Sequence, residues 1–246
     1  MIAFGKTDRG LCREVNQDCF ACQKLEDGLL YAVLCDGMGG ENGGNVASSL
    51  TVRDLSRELS AQLRHAAPDE DPRPLMEAAI RHANALVNRA SRDTAALRGM
   101  GTTLVLAVAQ GNRVTLAHAG DSRAYLVEGE TLTQVTKDHT VVQMLMEQGE
   151  ITAEQALTHP QRHYITRAVG VERELDAEFG TVTLLPGQAL LLCSDGLYNY
   201  APEESFPGLV RRAIEAGDAS CLIDAANAGG GGDNITAVIL TGETKE

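Results

Sequence analysis

The sequence contains no tryptophan, and aromatic residues make up only 4% of its 246 positions. A core built from such a chain has to be filled by Ala, Val, Leu and Ile rather than by large rings. Basic residues are also scarce: 21 Lys and Arg stand against 34 Asp and Glu, a formal net charge of −13. Nucleic acids and anionic membranes need a basic footprint, so this balance argues against both as partners. No run approaches the ~18 apolar residues of a membrane span. The opening Met1-Ile2-Ala3-Phe4-Gly5-Lys6 lacks the long apolar stretch of a secretion signal, and the cytoplasm is the expected location.

Several chemistries are missing as well. Cys19 and Cys22 have C-x-x-C spacing, but no second pair or nearby histidine completes a zinc set. Cys35 and Cys193 fall inside apolar runs, where reduced thiols acting as small hydrophobes are expected. None of the six cysteines has an Arg six positions later, as a cysteine phosphatase requires. Asp69-Glu70-Asp71-Pro72-Arg73 fails the D-x-D-x-T pattern of an aspartyl nucleophile, and no histidines form an H-x-H or H-E-x-x-H set. A nucleotide cradle at Gly37–Gly44 lacks both G-K-[ST] and the last glycine of G-x-G-x-x-G.

What is present is ordinary for a globular protein, 43% apolar and 22% charged, with no internal repeat, so one domain spanning 1–246 is expected. Short runs rich in Val, Leu and Ile predict strands at Leu29–Cys35, Thr103–Ala109, Val114–Ala119, Ala124–Val127, Phe179–Leu184, Ala189–Cys193 and Ile235–Leu240. Apolar spacing near the helical period predicts helices over Val46–Leu63, Leu75–Ala90, Val141–Gln148, Glu203–Glu215 and Ala219–Ala226. The stretch Ala66–Pro74 reads as a surface loop. Strands and helices do not alternate regularly, which favours an α+β layered fold with mostly antiparallel sheets.

One pattern recurs. An apolar strand ends and an Asp beside Gly follows, at Cys35-Asp36-Gly37, Ala119-Gly120-Asp121 and Cys193-Ser194-Asp195-Gly196. In mirror order, Gly232-Asp233-Asn234 leads into the run from Ile235. Any one Asp-Gly is a common turn signal. Four carboxylates at the ends of buried strands would repel one another if the strands lie side by side. Hard divalent cations with oxygen ligands remove that repulsion, and glycine allows close approach. Arg13, with Asp18 nearby, adds a planar fork suited to phosphate oxygens.

In this company the sequence resembles the metal-dependent Ser/Thr protein phosphatases of type 2C, in their short bacterial form. The matching stretches are Arg13–Asp18, Asp36-Gly37-Met38-Gly39-Gly40, Gly99–Thr103, Gly120–Tyr125, Thr136–His139, His159–Arg162, Ile165–Gly170, Ser194–Leu197 and Gly232–Thr236. They stand in family order over nearly the whole chain. The resemblance implies an α-β-β-α sandwich and hydrolysis of phosphoserine and phosphothreonine on proteins, with two or three Mn²⁺ or Mg²⁺ ions.

Residue by residue, it implies that Asp36 bridges two metals and that the Gly37 carbonyl serves the second. Asp195 and Asp233 would complete the first metal's shell, with Asn234 close by. Asp121 would join Asp195 at a third metal, Asp18 would act through water, and Arg13 would grip the phosphate. Hydroxide held between two cations roughly 3.5–4 Å apart would attack phosphorus directly. Residues 140–162 match the family's variable flap.

Two positions depart from the commoner pattern. Gln17 stands where Glu is frequent, and Met38 replaces the His that eukaryotic members use as an acid. The expected partners are phosphoproteins, including a Ser/Thr kinase and its substrates, with the chain acting as a monomer. The rival reading is a homologue that binds phosphoproteins without turning them over; its mark would be lost aspartates, and here all four positions are filled.

Overall fold

The computed structural model describes residues 1–25, 28–63 and 70–242, and only the backbone of Glu41 and Asn42. In chain order it runs β1 (Ile2–Asp8), β2 (Asp18–Lys24), β3 (Leu30–Met38), α1 (Gly40–Gln62), α2 (Arg73–Asp93), β4 (Gly101–Thr102), β5 (Leu104–Gln110), β6 (Arg113–Ala119) and β7 (Arg123–Glu128). There follow β8 (Thr131–Gln134), α3 (Val141–Glu147), α4 (Ala153–Leu157), β9 (Glu178–Thr183), β10 (Gln188–Cys193), α5 (Asp195–Tyr198), α6 (Phe206–Ala216), α7 (Ser220–Ala228) and β11 (Ile235–Thr241).

Two sheets form, ordered β1-β11-β10-β7-β8 and β2-β3-β5-β6-β9, with β4 paired to β3. Every pairing between named strands is antiparallel. The architecture is the α-β-β-α sandwich.

The period of two along each strand assigns its side chains to layers. On β3, Leu30, Ala32 and Leu34 join Leu190 and Leu192 of β10 and Val238 and Leu240 of β11 between the sheets. The alternate residues Tyr31, Val33 and Cys35 face Leu55, Leu59, Met76, Ile80 and Val87 of α1 and α2. On the other side Leu191, Cys193 and Ile239 face Phe206, Val210 and Leu222 of α6 and α7. Central strands are therefore buried on both faces and read as unbroken apolar runs, although the sheets are antiparallel. A one-residue register slip would push every one of these side chains into the wrong layer.

Helix α1 begins at Gly40, six residues before the first residue predicted from periodicity, because the glycines of 40–44 carry no apolar signal. Of the predicted loop Ala66–Pro74, residues 66–69 lie outside the described residues, and Arg73 and Pro74 already open α2. The stripe of α2 includes two buried amides: Asn84 and Asn88 bond the backbone of Gly170–Arg173. That stretch follows the flap and ties it to the body.

The flap itself is a closed loop. Its base is pinched by a bridge between Thr140 and Ile165, with Val141 N–H on the Tyr164 carbonyl and Thr166 N–H on that of His139. Thr152 and Gln155 cap α4 reciprocally.

Phe206, fully buried, meets Tyr125 edge-on at 5.8 Å between ring centres. Phe206→Ala is expected to cost ~3–5 kcal/mol through the cavity it leaves. Leu185→Ala, at a position 51% exposed, is expected to stay within ~0.5 kcal/mol. Urea midpoints of the two variants check the contrast.

Candidate metal centre and active site

One end of the sandwich holds the sequence's aspartates. Asp36 ends the buried part of β3 in one sheet, whereas Asp195 follows β10 and Asp233 precedes β11 in the other. Asp121 sits in the turn from β6 to β7, where the chain crosses between sheets. With Arg13 and Gly37 they line a cleft of about 750 Å³, to which Gln17, Met38, Asn234 and, just after the flap, His163 and Ile165 also contribute. Asp18 does not line it. It starts β2 directly opposite Asp36 in the register and lies buried behind the cleft.

The Thr102-Thr103 pair fixes Asp36. Thr102 Oγ1 donates to the Asp36 carbonyl at 2.7 Å, Thr103 N–H donates to the same oxygen, and the Asp36 N–H donates to Thr103 Oγ1 at 2.9 Å. The glycines serve backbone contact. A Cβ on Gly37 would lie 2.1 Å from the Gly44 carbonyl oxygen, and one on Gly196 would lie 1.9 Å from that of Asn234. Asp-Gly at these strand ends is thus a device for packing two backbones, beyond the access to ligands expected from the sequence.

Asn234 clasps the loop that carries Arg13: its amide donates to the carbonyls of Arg9 and Val15, and its oxygen accepts from Gln17 N–H. Gln17 donates to the Gly40 carbonyl at the start of α1. Arg13 pairs with Asp233 at 2.7 Å and remains 54% exposed. Tyr198, three residues after Asp195 on α5, donates to the Asp121 carbonyl at 3.1 Å. Its ring lies 3.7 Å from the Arg123 guanidinium, which forks onto Asp138 and reaches Glu203 and Tyr125. Nothing in the sequence pattern signalled Tyr198; Ser194 and Thr236, which donate to Asp18 Oδ2 at 2.7 and 2.6 Å, stand inside recognised stretches.

The carboxyls are strained electrostatically. Burial first, and then the neighbouring carboxylates, push Asp36 well above the ordinary range and Asp195 up to about 8. Burial likewise raises Asp18 and Asp121 to about 6, the charge of Asp138 adding to the second. Asp233 and nearby acids raise Arg13. A buried carboxylate oxygen without a hydrogen-bond partner, Asp18 Oδ1, adds to the strain.

Among the described residues, tighter trios of possible ligands lie elsewhere, at His118, His139 and Glu178 and at Asp54, Glu58 and His82. The second is an ion-pair cluster around Arg57. In the first, the stacked imidazoles bond backbone groups at Lys137 and Gly120. The aspartates instead surround a wider space, with room for more than one ion and a phosphate. Oxygen-only donors, mutual repulsion and the orphaned oxygen fit hard divalent cations.

Comparison with known proteins agrees with this chemistry. The family model described as Protein phosphatase 2C matches residues 12–222. A serine/threonine phosphatase of Listeria welshimeri, stp, is 36% identical over 244 residues, 98% of this chain and 95% of that protein. The crystal structure of the serine/threonine phosphatase Stp1 from Staphylococcus aureus superposes with a TM-score of 0.90 at 31% identity, covering 98% of this chain and 95% of that one. The catalytic domain of the phosphatase PstP, solved in complex with two manganese ions, gives 0.82 at 35% identity, covering 97% and 96%. The chain belongs to the protein phosphatase 2C family.

Proposed function

We propose that this cleft hydrolyses phosphoserine and phosphothreonine on proteins, with Asp36, Asp195, Asp233 and Asp121 holding Mn²⁺ or Mg²⁺ ions. The observation that carries the reading is the convergence of acids from both sheets on one cleft whose surroundings push their protonation upward. The manganese of the related PstP structure supports the choice of ion. In this reading residues 1–246 act as one catalytic domain and as a monomer in the cytoplasm, opposing a Ser/Thr kinase. No helix among the described residues is long and apolar enough to cross a membrane.

The ions, when bound, supply a water of lowered pKa and positive charge against the phosphate. The chain's own groups do the rest. Asp36, its backbone clamped by Thr102 and Thr103, feels the charges of Asp18, Asp195, Asp121 and Asp233 together. Arg13 stands over Asp233 with further N–H groups for a bidentate grip on phosphate oxygens. Asp18, held by Ser194 and Thr236 and opposite Asp36 in the register, keeps one carboxylate oxygen free and suits a contact through water.

Gln17 uses its amide on the backbone of α1, so it shapes the cleft rather than adding charge. The thiols next to the site in sequence are not nucleophiles: Cys35 and Cys193 are fully buried, and burial raises both far above the range of a reactive thiolate.

Turnover of p-nitrophenyl phosphate and of a phosphothreonine peptide should depend on Mn²⁺, and its absence with the ion present would sink the hydrolytic reading in favour of a binding module. Asp36→Asn should lower kcat by ~10²-fold or more. In chelator the same variant should melt no lower than the wild type, because it replaces a carboxyl whose charged form the surroundings disfavour.

The raised carboxyls also set a pH dependence. Groups whose folded pKa lies above the unfolded value stabilise the fold below the unfolded value, and that stability is lost as pH rises through the folded one. Chelator-treated protein should therefore lose stability between pH 5 and pH 8, and Mn²⁺ should raise the melting temperature more at pH 8. His139, lowered mainly by burial, works in the opposite sense below pH 6.5 but is a single group. Each kcal/mol moves the melting temperature of a chain this size by ~2–4 °C. A chelated melting temperature that is flat or rises over this range would contradict the account.

A further inference from the structure

Beside the catalytic cleft lies a second cavity of about 560 Å³, between the flap helices α3 and α4 and the rim of β7. The two share Asp121 and His163. Neighbouring residues of an extended chain are ~3.3–3.6 Å apart, so a substrate with its phosphoresidue in the cleft brings an adjoining side chain to this opening.

The chemistry of the cavity selects its guest. The polar groups beneath Tyr198 are already engaged with one another. Arg123 is held by Asp138, Tyr125 and Glu203 and covered by the Tyr198 ring. Lys137 pairs with Glu147 at 2.7 Å, and Gln134 donates to Asp138. A charged or amide guest seated on these groups would have to break one of these contacts, which leaves exposed Arg162 as the lining cation that an acidic guest would meet instead.

The flap contributes Val142, Met146, Ala156 and Leu157 to the walls, and its Gln143 is occupied by Glu147. Leu157 is 76% exposed, an apolar side chain left in water at the mouth. Val15, which lines the neighbouring catalytic cleft, is also an exposed apolar side chain.

We propose that this cavity is a substrate subsite that seats an apolar side chain flanking the phosphorylated residue of a protein substrate. The inference rests on the phosphoprotein-phosphatase reading above. It adds a preference that the carboxylate cluster alone cannot exert, because the cluster meets only the phosphate.

The test uses phosphothreonine peptides of one parent sequence, with Leu, Gln, Glu or Lys placed in turn at each of the two positions on either side of the phosphothreonine. At one position Leu should raise kcat/KM by ~10-fold or more over Gln, the scale on which an apolar pocket discriminates. Ala156→Trp fills the cavity, and Leu157→Asp changes an exposed position that cannot unfold the core. Both should erase that preference when peptide turnover is normalised to turnover of p-nitrophenyl phosphate by the same variant. Preference for Glu or Lys, no preference at any of the four positions, or a leucine preference that survives Leu157→Asp would overturn the subsite. Failure of the unmodified enzyme to turn over any peptide would instead overturn the reading on which it rests.

Discussion

Like charges crowded at one end of a sandwich govern this molecule. Asp18 and Asp121 are buried there and Asp36 and Asp195 half-buried, at the end of strands that are apolar on both faces. Among the described residues Arg13 is the cation paired with the cluster, through Asp233. An unpaired buried carboxylate is expensive, and neutralising protons or cations are the two ways out. Ser194 and Thr236 soften the conflict at Asp18 and Asn199 does so at Asp195. The Thr102-Thr103 clamp and the Tyr198 bond fix backbone at Asp36 and Asp121 and leave the acids facing one another.

The same constraint explains why the ligand set is distributed. β3 belongs to one sheet, β10 and β11 to the other, and Asp121 sits where the chain passes between them. Placing each acid at a strand end uses the rigid ladders as supports, so that helices and loops need only cover the core. The Arg123 hub serves the same end: it ties β7, Asp138 and Glu203 into one network beneath Tyr198, which in turn spans α5 and the Asp121 turn.

Much of this arrangement was legible in the sequence for a physical reason. Strands buried on both faces, such as Leu30–Met38 and Gln188–Cys193, announce themselves as apolar runs, and the aspartates follow directly. Strands β1, β2 and β8 escaped because they are edge or partly exposed segments. Gly5 and Lys6 interrupt β1, the polar ends of β2 flank its C-x-x-C, and Thr131–Gln134 is nearly all exposed. The one-turn helix α5 is too short for any period to show.

At the site, the aspartates that line the cleft could be named from their strand-end pattern, whereas the interior position of Asp18 follows only from the β2–β3 register. Contacts across more than a hundred residues, such as Arg13 with Asp233, leave no trace in local spacing.

The flap joins the body through a narrow neck, the Thr140–Ile165 bridge and the two backbone bonds beside it. Such a neck makes the intervening segment an exchangeable cassette. Length and composition between the two anchor points can drift without moving the strand ends that carry the acids, so recognition and chemistry are free to evolve at different speeds within one chain.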